Sequence, residues 1–349
     1  LTLDLETQPG GSLTVEAFLQ DYASAVQRGL SDFIAREQEV PVLSDGLRYA
    51  LGLDSAQAGH GGKRCRGAVC LLTSEGLGVS RDRALPLALA VELLHQFLLV
   101  HDDLEDGDEV RRRRPAVWVR YGIAHATNVG DFLAAKTWEA LLCLSDNGWG
   151  DNTALQLLGL LKSTLLDLGR GQARDLTSVN RHDVGLSEYE SIAQQKTGSC
   201  WSFTLLGPAI LAGATISTRD GLQRYANAVG VTYQIVDDVL DLTEAKGRTQ
   251  AASDIRHGRP TWPVIFAAGQ CTAGERGRLF EILDRPPHEN REEDVGWVLD
   301  LLRRSGAIIA SRQRIAQLER EASVAVQELP EPLRTQLETL SQSLAQREA

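Results

Sequence analysis

Methionine is absent from all 349 residues, the initiator included. The chain is therefore expected to start inside a longer natural one, and nothing functional follows from that absence. Cysteine is scarce. Cys65, Cys70, Cys143, Cys200 and Cys271 are odd in number, scattered and without a C-x-x-C pair. That spacing indicates neither a zinc site nor a disulfide framework, and it points to a reducing cytoplasm. A cationic excess is also missing. The formal net charge of -11 argues against general nucleic-acid binding, which needs a basic footprint. No secretory signal is visible at the N-terminus. No long apolar run goes uninterrupted, because Pro86, Glu92 and His95 break Ala84 to Val100. That run reads as a buried core helix, so no transmembrane segment is expected. Period-two alternation and hairpin signals are almost wholly lacking.

What is present is ordinary globular material, 43% hydrophobic and 24% charged, enough for a sizeable core. Residues 1–13 read as a flexible leader. Val15, Phe18, Leu19, Tyr22, Val26 and Leu30 set a helical period within Ser12 to Gln38, with Thr14 as its cap, and Pro41 ends it. Further helices are expected over Leu43–Leu53, Arg83–Val100, Ala124–Leu144, Thr153–Asp175, Ser187–Gly213 and Leu222–Leu242. Pro115 and Gly122 bracket a loop, and a charged loop runs from Glu244 to Pro260. Leu333, Leu337, Leu340 and Leu344 continue the helical spacing to the end. Helix after helix on short connections predicts a single all-α domain over residues 14–349.

The chemistry concentrates at His101-Asp102-Asp103-Leu104-Glu105-Asp106, after which the cations Arg111 to Arg114 follow closely. An acidic cluster is commonly a solvated loop or helix face. Here its Asp-Asp-x-x-Asp spacing recurs at Asp237-Asp238-Val239-Leu240-Asp241. Residues four apart share a helix face, which pairs Asp102 with Asp106 and Asp237 with Asp241. Such carboxylates repel unless a cation sits among them, and hard oxygen ligands suit magnesium shared with substrate phosphates. Two such walls facing each other would form a magnesium–diphosphate clamp.

Lys63, Arg64 and Arg66 follow Gly59-His60-Gly61-Gly62 and open an apolar segment. Glycines and cations at a helix N-terminus suit an anion, although surface cations on a turn fit the same pattern. The Walker A spacing is absent. Glu92 and His95, three apart on an apolar cylinder, read equally as a satisfied structural contact.

Taken together and in order, Gly-Lys-Arg-x-Arg at 62–66, Glu-x-x-His at 92–95, the first acidic motif with Arg111-Arg112, Lys196-Thr197, and Gln234-x-x-Asp-Asp-x-x-Asp make the chain resemble the trans-isoprenyl diphosphate synthases, or polyprenyl synthetases, over residues 62–263. The resemblance implies one helical bundle around a central cavity, the isoprenoid synthase fold, in a homodimer. It implies head-to-tail condensation of isopentenyl diphosphate with an allylic diphosphate. Asp102, Asp106 and Asp237 would bind magnesium, three ions in all, with Asp103, Asp238 and Asp241 completing the walls. Lys63, Arg66, His95 and Arg112 would hold isopentenyl diphosphate. Arg111, Lys196, Thr197 and Gln234 would face the allylic diphosphate. Arg248 and Arg259 stand where lysines are usual, Arg113 where Gly is common, and Trp262 where Leu is usual; charge survives, but the planar Arg fork differs from a Lys point charge. Phe97 and Leu98, one turn before Asp102, would floor the elongation pocket. A single aromatic there implies geranylgeranyl diphosphate, with farnesyl diphosphate as the alternative. A class I terpene cyclase is disfavoured by the second Asp-rich motif, and a non-catalytic synthase subunit by the integrity of both motifs.

Overall fold

Thr14 starts the first helix, its hydroxyl accepting the Ala17 N–H at 3.3 Å. The computed structural model describes residues 14–37, 39–54, 62–242 and 251–347. The leader expected at 1–13, Gly59 to Gly61 and Arg248 lie outside the described residues. In chain order the helices are α1 (Val15–Ile34), α2 (Pro41–Ala50), α3 (Cys65–Gly76), α4 (Arg81–Asp106), α5 (Val117–Tyr121), α6 (Ile123–Asp146), α7 (Asp151–Ser178), α8 (Leu186–Ala193), α9 (Ser199–Leu211), α10 (Ile216–Asp241), α11 (Ser253–Arg256), α12 (Trp262–Gln270), α13 (Ala273–Leu283), α14 (Glu292–Arg304), α15 (Ala307–Ala325) and α16 (Leu333–Ala345). The fold is all-α, as the periodicity predicts.

Two expectations need correction. The loop between Pro115 and Gly122 is helix α5. Before it, β1 (Val110–Arg111) and β2 (Arg114–Pro115) pair antiparallel in a short hairpin. Its two central residues, Arg112 (φ 52°) and Arg113 (φ 61°), are both left-handed, as a two-residue hairpin turn on right-twisted strands demands. The second correction is to Ser187–Gly213, which is not one regular helix. A π turn over Gln194–Gly198 separates α8 from α9.

The chain divides into two compact units. The first comprises residues 1–162, 202–220 and 329–336, the second residues 163–201, 221–328 and 337–349. In the first, α4 packs on α3 and α6, burying Leu87, Leu93 and Leu94 completely. Among the described residues α4 alone is long and apolar enough to cross a membrane, yet 61% of that stretch is buried in protein. In the second unit, Ile255, Val264, Leu279, Ile282, Val298 and Leu301 form an apolar core, with α12 packed against both α14 and α15. Leu337 is fully buried in α16. All five cysteines are free thiols.

Candidate active site

The first unit carries Lys63, Arg66, His95, Phe97, Leu98, the first aspartate motif, Arg111 and Arg112. Gly107, left-handed at φ 69°, ends α4 just beyond Asp106, so Asp102 and Asp106 project from its last turns, half-buried. Asp103 turns away from that pair and is 3% exposed. It accepts Arg111 Nε at 2.6 Å and also Arg111 Nη2, while Arg111 lies 3.7 Å from Asp102 and 3.6 Å from Asp108. Burial pushes the Asp103 carboxyl up to about 6 against the pull of Arg111. Arg111 is thus a neutralising partner within the motif.

The hairpin aims the neighbouring arginines apart. Arg114 forks onto Asp54 at 3.0 and 2.6 Å and lies over the Tyr49 ring, anchoring one strand. Arg112 reaches Gly62, where a Cβ would come within 2.6 Å of the guanidinium carbon, so the glycine's missing side chain makes room for it. Burial, reinforced by Arg64, pushes Arg112 down to about 10. Arg66 Nη1 meets His95 Nε2 at 3.0 Å. Burial, then Arg66 and Arg112, hold His95 well below its usual range, so it is neutral. This is a cation-rich cluster that an anion would relieve. Lys63 is exposed and pairs with Glu16 at 2.7 Å.

The helix start beside these cations is not a bare anion site. Glu92 accepts the Gly67 N–H at 2.8 Å and stands 4.0 Å from the buried Arg64. Arg64 itself donates to Gln27 at 2.7 Å and to the Leu51 carbonyl. Within Glu-x-x-His the glutamate is therefore structural, while the histidine belongs to the cation cluster. Phe97 and Leu98 are half-buried, and the Phe97 ring packs edge-on against His101, centroids 4.8 Å apart.

The second unit carries Lys196, Thr197, Gln234, the second aspartate motif and Arg259. Asp238, 3% exposed, accepts the Tyr189 hydroxyl at 2.6 Å, the Trp262 N–H at 2.9 Å and Gln234 Nε2 at 3.4 Å. Burial and that carboxylate raise the Tyr189 phenol well above its usual range, fixing it as the donor. Asp241 accepts the Asp254 N–H at 2.8 Å and so holds the start of α11. Asp237 is half-buried and the least enclosed of the three. Lys196 Nζ donates to Asp175 at 2.7 Å, and Thr197 Oγ1 donates to Gln234 at 3.3 Å. Arg259 stands 3.9 Å from Asp175 and 4.0 Å from Asp254.

Lys196 and Thr197 sit on the π turn, a distortion common at functional sites. Two glycines shape it. A Cβ at Gly171 on α7 would collide with the Lys196 amide nitrogen and lie 2.7 Å from the Gln195 carbonyl carbon. A Cβ at Gly230 on α10 would collide with the Gly198 Cα and lie 2.7 Å from its nitrogen. Asp175, which closes the helix expected over Thr153–Asp175, carries no sequence signal for its contact with Lys196. Tyr189 had no signal, being a single aromatic in a helical pattern.

Among the described residues, no group of three His, Cys, Asp or Glu side chains is placed to hold an ion by itself. Asp102 and Asp106 in the first unit, and Asp237 in the second, each offer only hard oxygen donors. Donors of that kind suit magnesium, which keeps waters and takes substrate phosphate oxygens as ligands.

The polyprenyl synthetase model matches residues 54–302. A short chain isoprenyl diphosphate synthase of Methanocaldococcus jannaschii is 34% identical over 247 residues, 70% of this chain and 73% of the relative. A geranylgeranyl pyrophosphate synthase of Geoglobus acetivorans is 31% identical over 96% of this chain and 99% of its own. The crystal structure of geranylgeranyl pyrophosphate synthetase from Pyrococcus horikoshii superposes with a TM-score of 0.85 at 29% identity, covering 96% of this chain and 98% of that one. With the family model spanning most of the chain and such relatives matched along it, the chain belongs to the polyprenyl synthetase family and is a trans-prenyltransferase.

Proposed function

We propose that the chain makes geranylgeranyl diphosphate by adding isopentenyl diphosphate head-to-tail to allylic diphosphates, the two units acting as one catalytic domain. The observation that carries this reading is the division of labour among charged side chains. Carboxylates that can share a metal with a diphosphate lie on two motifs, while the cation-rich cluster of Arg66, His95 and Arg112 suits a second diphosphate without metal. A reaction joining two diphosphate substrates needs both.

Asp102, Asp106 and Asp237 would hold magnesium, with Asp103, Asp238 and Asp241 orienting them from behind. Bound there, magnesium supplies Lewis-acid stabilisation of the departing pyrophosphate. Lys196, Thr197 and Gln234 position the allylic diphosphate, and Arg111 and Arg259 add fixed positive charge where negative charge develops. Arg248 is assigned the same task by resemblance alone. Lys63, Arg66, His95 and Arg112 hold isopentenyl diphosphate so that its double bond lies close to the allylic carbon. Departure of pyrophosphate leaves an allylic cation, the double bond attacks it, and the proton lost goes to pyrophosphate. No dedicated protein base is required. Phe97, with Leu98, stops growth at twenty carbons. A homodimer and a cytoplasmic location complete the reading.

Purified protein incubated with isopentenyl diphosphate and each allylic starter, with and without magnesium, tests this. Magnesium-dependent geranylgeranyl diphosphate is the expected product. Farnesyl diphosphate would shift the assigned length, cyclised hydrocarbon would indicate a cyclase, and no turnover would indicate a silent subunit.

A further inference from the structure

On α4 the imidazole of His101 lies one turn beyond Phe97, in a T-shaped contact with its ring at 4.8 Å between centroids and 64° between planes. The imidazole also lies against α6. At Gly130, a buried position within α6, an added Cβ would occupy the space of His101 Cδ2 and Nε2. Glycine in a helix interior costs roughly 1 kcal/mol relative to alanine, so its place there calls for a packing reason. The backbone does not supply one, since Gly130 is not among the left-handed residues. The imidazole does. His101 Nε2 is enclosed without a hydrogen bond, its nearest carboxylate being Asp131 at 3.6 Å. No hydrogen bond anchors Nε2, so the fit against Gly130 and Phe97 positions the ring beside this long contact to Asp131.

We propose that Gly130 and His101 are positioning residues for product length: the gap left by Gly130 seats His101, and His101 fixes the Phe97 ring. The inference rests on the reading of Phe97 as the pocket floor. With no Cβ at residue 130, the imidazole backs onto α6 and keeps its T-shaped contact with Phe97. Removing the imidazole frees the phenyl ring to turn into the vacated space and opens the floor. Filling Gly130 expels the imidazole and moves the same ring.

The test compares product lengths at low conversion, read by radio-chromatography, for Phe97→Ala, His101→Ala, Gly130→Ala and Gly130→Ala in the Phe97→Ala background. Product ratio is separable from rate, so a loss of turnover through the neighbouring Asp102 does not mimic the effect. His101→Ala is expected to give longer or mixed products. Gly130→Ala is expected to change the distribution when Phe97 is present and to change nothing further when it is absent. Should Gly130→Ala not fold, the double variant with His101→Ala restores the space for its Cβ, and His101→Ala alone still decides the matter. Lengthening by Phe97→Ala with wild-type ratios in both other single variants overturns this inference and leaves the floor reading intact. Unchanged length in Phe97→Ala overturns the floor reading itself.

Discussion

Arg66 Nη1 donates to His95 Nε2 across 3.0 Å. A guanidinium can only donate, so Nε2 is the acceptor and the imidazole proton sits on Nδ1. Burial among Arg66 and Arg112 keeps this ring neutral well below its ordinary value of 6.5. In the unfolded chain the same ring takes up a proton as pH falls through about 6.5. The unfolded state then binds more protons, so stability drops as pH falls through that value, by up to about 1.4 kcal/mol per pH unit. His95→Gln, which keeps an acceptor but does not titrate, is expected to flatten this part of the profile. Urea unfolding midpoints between pH 5.5 and 8 measure it, and parallel profiles for the two proteins would refute it.

The hairpin turn carries conformational strain that one substitution relieves. Arg113 is exposed and left-handed at φ 61°, which for a residue with a Cβ costs roughly 1–2 kcal/mol. Arg113→Gly is expected to stabilise by about 0.5–1 kcal/mol after the larger entropy of unfolded glycine is subtracted. Turnover should be unchanged, because no role falls to that side chain. Arg112→Gly relieves similar strain yet should raise the KM for isopentenyl diphosphate at least tenfold. Equal kinetics in the two variants would contradict the assignment of Arg112.

Asp237 and Asp238 are adjacent, and the roles proposed for them differ. Tyr189→Phe leaves the buried Asp238 carboxylate short of a donor and is expected to cost about 2 kcal/mol of stability. Asp237→Asn should leave unfolding nearly unchanged and lower kcat by two orders of magnitude or more, since electrostatic groups at developing charge are worth that much. Thermal unfolding and steady-state rates on both variants separate the roles. A stable, fully active Asp237→Asn would remove it from the metal site.

Gly171→Ala is expected to displace the backbone carrying Lys196. Its Cβ has no room beside the Lys196 nitrogen and meets backbone, which yields less readily than a side-chain tip. The predicted signature is a tenfold or greater rise in KM for the allylic diphosphate with that for isopentenyl diphosphate nearly unchanged. Steady-state kinetics with each substrate varied in turn decide it, and an equal rise in both would point to general loosening.

Much of this was legible beforehand. The Thr14 cap, the helical stripe of α1 and the apolar run of α4 are local patterns, and local patterns survive into structure when nothing overrides them. The π turn was not legible, because it arises where Gly171 and Gly230 crowd one short segment from two other helices. The hairpin was hidden because Arg112-Arg113 lacks the Asn-Gly or Gly-Gly signature of such a turn. Within Glu-x-x-His, spacing alone could not tell the structural Glu92 from the cation-bound His95.

The order of residues alone determined that this protein is of the all-α class, that two aspartate triplets occur at the spacing of a helix face, and that the cation motifs stand in a prenyl synthase's order. Tertiary structure decided which acidic side chains are taken up internally: Asp103 by Arg111, Asp238 by Tyr189 and Trp262, Asp241 by the Asp254 amide. The reason is one of range. Helical periodicity involves neighbours three or four residues apart, whereas Tyr189 and Asp238 are 49 residues apart and meet only once the chain has folded.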